Sequence, residues 1–256
     1  MSRHKESRPL LNEVALEELS PVRSIYKEYV NDFENFIAES PLIKTAFYIA
    51  ITAHEDQDRK GQGPAYINHP YEAALLGWLY TKESISQIGN QELLEDLVAT
   101  IFIHDVIEEN KRYSKTILKN LLILGFHDPE RVERIASWGE KLTPRPKPEA
   151  ENNHEWQIRK IAESGRLLNC QDQVVALAKA ADIVANARET LRFLKRGAKN
   201  SAFQQAFGHS INEQIGVFFG RSRIMSEVAI NEHLFHPFVS DLKDTVDQLL
   251  DFIEVN

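Results

Sequence analysis

Apolar residues recur every three or four positions along most of the chain, which is the spacing of amphipathic helices. Ser20 and Pro21 open the first of these, a capping serine followed by proline at the first helical position. Ile25, Tyr29, Phe33 and Phe36 continue it. A second helix is predicted after Pro41, carrying Leu42, Phe47, Ile49 and Ile51 towards His54. Residues 59–69 (RKGQGPAYINH) contain two glycines and a proline and read as a loop. Pro70 restarts a helix with Ala73, Leu76, Leu79 and Tyr80 on one side, and another helix covers 93–109. Shorter helices are predicted at 116–124, stopped by Gly125, and at 129–138. Three prolines in 143–148 make a loop, and the polar stretch 149–169 reads as partly helical. Residues 173–195 form a long helix ending at Gly197, and 202–229 and 239–253 are helical by pattern. No segment has a convincing strand pattern. The expectation is an all-α bundle around one core, with 1–256 as a single domain.

Composition supports that picture. The 256 residues include only 11 glycines and 10 prolines, below the usual share of about 12%, which disfavours a many-turned β fold. Apolar residues are 43% and charged residues 27%, ordinary for a globular chain. A net charge of −8 argues against general nucleic-acid binding, which rests on a basic face. It leaves room for a small anionic ligand held by a few local cations or a metal. Cys170 is the single cysteine, so an internal disulfide and a cysteine-rich zinc site are excluded, and a reducing compartment is implied. No apolar run approaches the ~20 residues of a membrane span, and the first residues are polar with no apolar leader core. The expected location is the cytoplasm, with no membrane partner.

Two helices break the patterning rule. IFIHDVIEEN (101–110) sets His104 and Asp105 among isoleucine, phenylalanine and valine. VVALAKAADIVANA (174–187) is apolar except for Lys179, Asp182 and Asn186. Helices apolar nearly all round belong in the middle of a bundle. A carboxylate there cannot stay ionised without a partner. A salt bridge from Asp182 to Lys179 or to an arginine would serve, and His104 alone could bond a backbone carbonyl. A His-Asp pair and a distant Asp in two buried helices are better served by one shared cation, and a metal is the simplest.

The motifs form a series: AHEDQDRK (53–60), AYINHP (65–70), HDVIEE (104–109) and KAADIVAN (179–186). In order and kind this resembles the HD-domain metal phosphohydrolases, and within them the hydrolase domain of the RelA/SpoT alarmone enzymes. The likeness covers about 41–197, with flanking helices at 20–40 and 200–255 that have no counterpart. The resemblance implies that His69, His104, Asp105 and Asp182 bind one divalent metal, commonly Mn²⁺, with Fe²⁺, Zn²⁺ or Mg²⁺ as alternatives. It implies acid/base roles for Glu108 and Glu109. Arg59 and Lys60 would contact a nucleotide, and Asn186 its ribose region. Lys141, in GEKLT, is the nearest match to a further substrate-contacting lysine. About sixty residues with a helical pattern follow the core, so the chain resembles the stand-alone small alarmone hydrolases rather than the long bifunctional enzymes.

Spacing agrees with these roles. His104 and Glu108 are four apart, as are Asp105 and Glu109, and Asp182 and Asn186, so each pair shares a helix face. Two imidazoles and two carboxylates make a mixed N/O site suited to Mn, Fe or Zn. Glu109 stands where the family has Asp, Gln62 where it commonly has Ser, and Pro64 and Ala65 where it often has Glu and Pro. Ile183, Val184 and Ala185 replace positions often held by Arg and His. The implied activity is removal of the 3′-pyrophosphate from an alarmone such as ppGpp. The alternatives are an HD phosphohydrolase for NADPH or a nucleoside monophosphate, and a non-catalytic nucleotide-binding module. His54 reads as structural, and His127, His154, His209, His233 and His236 read as surface or packing residues.

Overall fold

Helix boundaries follow the local chemistry. The computed structural model describes residues 18–55, 57–58, 65–144, 148–197, 199–230 and 232–255. Helix α1 is Ser20–Ile25 and α2 is Val30–Glu39. The pattern had predicted one helix here. The chain instead turns at 26–29, where the Tyr29 amide bonds to the Tyr26 carbonyl. That turn delivers the Tyr26 hydroxyl to buried Glu72 at 2.7 Å. Ser20 is the first helical residue and makes no cap. Ser40 does cap α3, Pro41–Ala53, accepting from the Ile43 amide at 3.4 Å, with Pro41 in the first turn.

Helix α4 is Asn68–Gln87 and α5 is Gln91–Glu109, capped by Asn90. Ser114 and Asp128 cap α6 (Lys115–Gly125) and α7 (Pro129–Leu142). A reciprocal Asn152/Glu155 capping box opens α8, Asn153–Leu168. Helix α9 is Gln173–Lys195, as the periodicity predicts, and Gly197 follows it at φ +88°. The predicted helix over 202–229 is two: α10, Asn200–Phe207, and α11, Ile211–Ala229. Gly208, at φ +79°, divides them, and Ser210 and Glu213 form a second capping box. A short 3₁₀ turn, His233–Phe235, leads into α12, His236–Val255. The described residues contain no strand, only an isolated antiparallel bridge between Asp58 and Ala65. The fold is an all-α bundle.

Helices α5 and α9 occupy the middle. In α5, Leu97, Val98, Ile101, Phe102, Ile103 and Val106 have no exposed surface. In α9 the same holds for Leu177, Ala180, Ala181, Ile183, Val184 and Ala185. Helices α3, α4 and α7 pack around α5, and α4, α8 and α12 around α9. Gly77 of α4 sits at the central junction. A Cβ there would meet Ile101 Cδ1 of α5 at 2.6 Å and Ala181 Cβ of α9 at 3.8 Å. No single helix among the described residues is long and apolar enough to cross a membrane. The apolar pair α2–α3 bends by 108°, and its Phe33, Ile37, Leu42, Ile43 and Phe47 are core residues.

A buried ionic network ties the outer helices to α9. Glu72 of α4, 2% exposed, accepts from Tyr26 and from Nη1 and Nη2 of Arg192, at 2.8 and 2.5 Å. Arg188 reaches Asp241 of α12 at 2.9 Å and also bonds the Tyr26 hydroxyl. Glu72→Ala would strand Arg192 and take away the acceptor of the Tyr26 hydroxyl, which keeps its bond from Arg188. Stability should fall by about 3 kcal/mol, the low end for breaking a buried ion pair, because 28% of the Arg192 side chain remains in water. Chemical denaturation of Glu72→Ala against the parent checks this. Unchanged stability would mean that the network positions these helices without stabilising them.

Candidate metal centre

Three buried segments bring the chemistry together. Asp58 and Ala65 form an antiparallel bridge just before α4, and the Tyr66 amide bonds to the Gln57 carbonyl at 2.7 Å. The Asn68 side chain then ties the start of α4 to the carbonyls of Ala65 and Glu18, at 3.0 and 2.7 Å. This sets His69, 4% exposed, in the first turn of α4. His104 and Asp105 project from the last third of α5, and Asp182 from the middle of α9.

The donor atoms converge. His69 Nε2 lies 3.2 Å from Asp182 Oδ1 and 3.5 Å from Asp105 Oδ2. His104 Nε2 lies 3.0 Å from Asp105 Oδ1 and 3.8 Å from Asp182 Oδ1. Donor atoms of His69, His104 and Asp182 all fall within 4.8 Å of one another, so this buried group can hold a metal ion. Asp105 stands outside that mutual set but turns one oxygen to each imidazole. Its Oδ2 also accepts from the Tyr66 hydroxyl at 3.2 Å.

Tautomers fit a ligand role. His104 Nδ1 is 2.6 Å from the Ile101 carbonyl and must carry hydrogen to bond it. Nε2 then faces the carboxylates, buried and without a hydrogen-bond partner. A buried nitrogen left in that state needs an explanation, and a divalent ion sharing it with Asp182 supplies one. Burial alone would lower the His104 pKa, but Asp105 and Asp182 beside it push it up to about 9. A metal would therefore displace a proton here. Asp182 is held well below the usual carboxylate range. Burial acts the other way, but Lys179 and the two imidazoles outweigh it.

Asp182 does make the salt bridge that the patterning offered as an alternative. Lys179 Nζ lies 2.7 Å from Oδ2, while Oδ1 faces the imidazoles, so the two arrangements coexist. Asn186 donates to Oδ1 at 2.6 Å and to the Asp182 carbonyl at 2.9 Å. Its side chain orients the carboxylate.

A cavity of about 280 Å³ opens onto this group. Glu108, Glu109 and Asn186 line it with the His/Asp cluster. Glu108 keeps much of its surface open to the cavity. The surrounding protein still desolvates its carboxyl and Asp105 repels it, which raises its pKa to about 7. Lys141 is elsewhere: half-exposed at the end of α7, it pairs with Asp172 and does not line the cavity. Lys160 of α8 and Arg221 of α11 do line it, as do Trp156, Phe207 and His209. His209, read as a surface or packing residue, stacks on Trp156 at 3.9 Å in the cavity wall. His54, read as structural, lies beside the cluster. It is 2% exposed and stacks at 4.5 Å on Tyr66, the residue that bonds Asp105. Arg59 and Lys60 lie outside the described residues.

No protein-family model and no curated protein matches the chain. The site's meaning rests on its own geometry.

The protein should take up about one divalent transition metal per chain, as a single His/Asp cluster requires. Asp182→Ala should lose that metal and also lower stability, since it removes the partner of Lys179. Metal analysis of dialysed protein decides. Full occupancy in Asp182→Ala would remove Asp182 from the ligand set.

Proposed function

We propose that the protein is a metal-dependent phosphohydrolase that removes the 3′-pyrophosphate from an alarmone nucleotide such as ppGpp, leaving a nucleoside 5′-di- or triphosphate. The carrying observation is convergence. His69 and Asp182 are 113 positions apart, yet they meet His104 and Asp105 in one buried cluster that opens into a cavity lined by Glu108 and Glu109. Those are the motif residues on which the resemblance to the alarmone hydrolases rests.

On this reading His69, His104, Asp105 and Asp182 would hold the metal. A bound divalent ion supplies Lewis-acid activation of a water and of a phosphoryl oxygen. The chain's own residues do the rest. Water adds to the phosphorus attached to the 3′ oxygen, the P–O3′ bond breaks, and pyrophosphate departs. The Glu108/Glu109 pair passes a proton to the 3′ oxygen. Glu108 suits that task because a carboxyl with a pKa of about 7 still holds a proton near neutrality. Asn186 and Lys179 keep Asp182 in register. Arg59 and Lys60 would meet the nucleotide from the loop whose ends, Asp58 and Ala65, are pinned beside Tyr66.

One observation favours a second reading, a phosphohydrolase for NADPH or a nucleoside monophosphate. Ile183, Val184 and Ala185 are fully buried in the core, so these positions contribute nothing to base recognition.

Glu108→Gln and Glu109→Gln should each cut kcat by roughly 10²–10⁴ with metal content unchanged. Near-normal kcat in both would reduce the pair to a cavity rim. The substrate is tested by incubating the Mn²⁺-loaded protein with ppGpp, its adenosine analogue, NADPH and nucleoside monophosphates, following pyrophosphate and phosphate separately. Pyrophosphate from the 3′-diphosphates is the expected result. Phosphate from NADPH or a monophosphate, with both alarmones intact, would overturn it in favour of the second reading.

A further inference from the structure

Helix α11 crosses α8 closely. A Cβ on Gly220 would meet Ile161 Cδ1 at 2.6 Å, so the Ile161 side chain of α8 packs into the space that a side chain at this point of α11 would take. The next residue in α11 is Arg221, and the residue before Ile161 in α8 is Lys160. The crossing therefore sets two cations side by side, and both line the cavity that holds the His/Asp cluster.

Neither cation is neutralised. Arg221 is 7% exposed, and its buried Nε has no hydrogen-bond partner. Among the described residues no carboxylate forms an ion pair with Arg221 or Lys160, although Lys179 beside them is paired to Asp182. The charges of Glu108 and Glu163 raise the pKa of Lys160, and those of Asp182 and Glu163 raise that of Arg221, but burial outweighs them. Burial lowers the pKa of both, and the charges of Lys179 and Arg221 lower Lys160 further. Like charges gathered in a poorly solvated wall cost free energy unless an anion joins them. A guanidinium fork beside an ammonium suits phosphate oxygens, because the fork takes two of them and the ammonium adds a point charge.

We propose that Arg221 and Lys160 form an anion subsite in this cavity, which takes a phosphoryl group of a di- or polyphosphate next to the metal cluster. On the hydrolase reading, on which this placement of the substrate rests, helix α11 from outside the motif-bearing core completes the phosphate site.

Calorimetric titration of the full-length protein with inorganic pyrophosphate, and separately with inorganic phosphate, tests the subsite without any turnover. Arg221→Gln and Lys160→Gln should each weaken pyrophosphate binding roughly tenfold to a hundredfold, as loss of a charge-assisted contact implies. Helix content and metal content should be unchanged. Arg159→Gln, which alters a neighbouring cation paired with Glu151 at 2.5 Å, should bind as the parent does. Lys160 is only half-buried, so Lys160→Gln decides the matter if Arg221→Gln does not fold. Unchanged pyrophosphate affinity in a folded Arg221→Gln or Lys160→Gln overturns the proposal, as does a parent protein that ignores pyrophosphate at millimolar concentration. Weakened binding in a protein that leaves alarmones intact keeps the subsite and removes the hydrolase reading. Unchanged binding in one that cleaves them does the reverse.

Discussion

Asp182 sits in the centre of a helix whose neighbouring side chains are alanine, isoleucine and valine with no exposed surface. An ionised carboxylate in such a place costs several kcal/mol unless cations or donors surround it. The structure surrounds it with four: Lys179 and Asn186 from its own helix, His69 from α4 and His104 from α5. The helix-borne partners fix the carboxylate's rotamer. The imidazoles arrive from other elements, so the position of Asp182 also sets how α4, α5 and α9 pack. At that junction Gly77 lets α4 approach Ile101 and Ala181. The same requirement thus governs the core and the candidate site.

The outer helices answer to a second buried carboxylate. Glu72 lies one turn along α4 from His69, and its arginine partner Arg192 lies further along α9 from Asp182. The helix pair that joins the metal cluster is therefore clamped again by Glu72 and Arg192. Tyr26 and Asp241 extend this clamp to the turn after α1 and to α12. Segments flanking the motif-bearing region are joined to the site's own helices by polar contacts, not only by apolar packing. Breaking that clamp and altering the His/Asp cluster would perturb the same helix pair at neighbouring points.

Much of this was legible because the chemistry violates the patterning. Apolar helices interrupted by His104, Asp105 and Asp182 can be recognised without coordinates, and α9 begins and ends where its periodicity does. Other features depend on partners remote in sequence. The turn at 26–29 follows from Tyr26 reaching Glu72, 46 positions away, and no local signal near Tyr26 announces it. Lys141 stands near a motif in sequence, yet Asp172 satisfies it outside the cavity. Lys160 stands in a polar run that reads as solvated until α11 covers it. Arg221 carried a usable signal. It lies on the helix face of Phe218 and Met225, both fully buried, and a charge at a core position is the same anomaly that marked Asp182.

The arrangement of charge bears on how an acidic chain could take the anionic ligand of the proposed reading. The net charge of −8 is spread over a surface of 13841 Å². In physiological salt such charges are screened beyond about 8 Å. Inside the cavity the field is set by the groups that line it, where screening by mobile ions is weak. Lys160, Lys179 and Arg221 stand there against Asp105, Glu108, Glu109, Asp182 and Glu189. Lys179 is committed to Asp182, and Glu108, with a pKa of about 7, carries only part of its charge near neutrality. The cations left over face the cavity, and a divalent ion on the His/Asp cluster would add to them. On the proposed reading a polyanion would meet Arg221, Lys160 and the metal inside the cavity, among acids that also line it, so binding should depend less on ionic strength than it does on an exposed basic face.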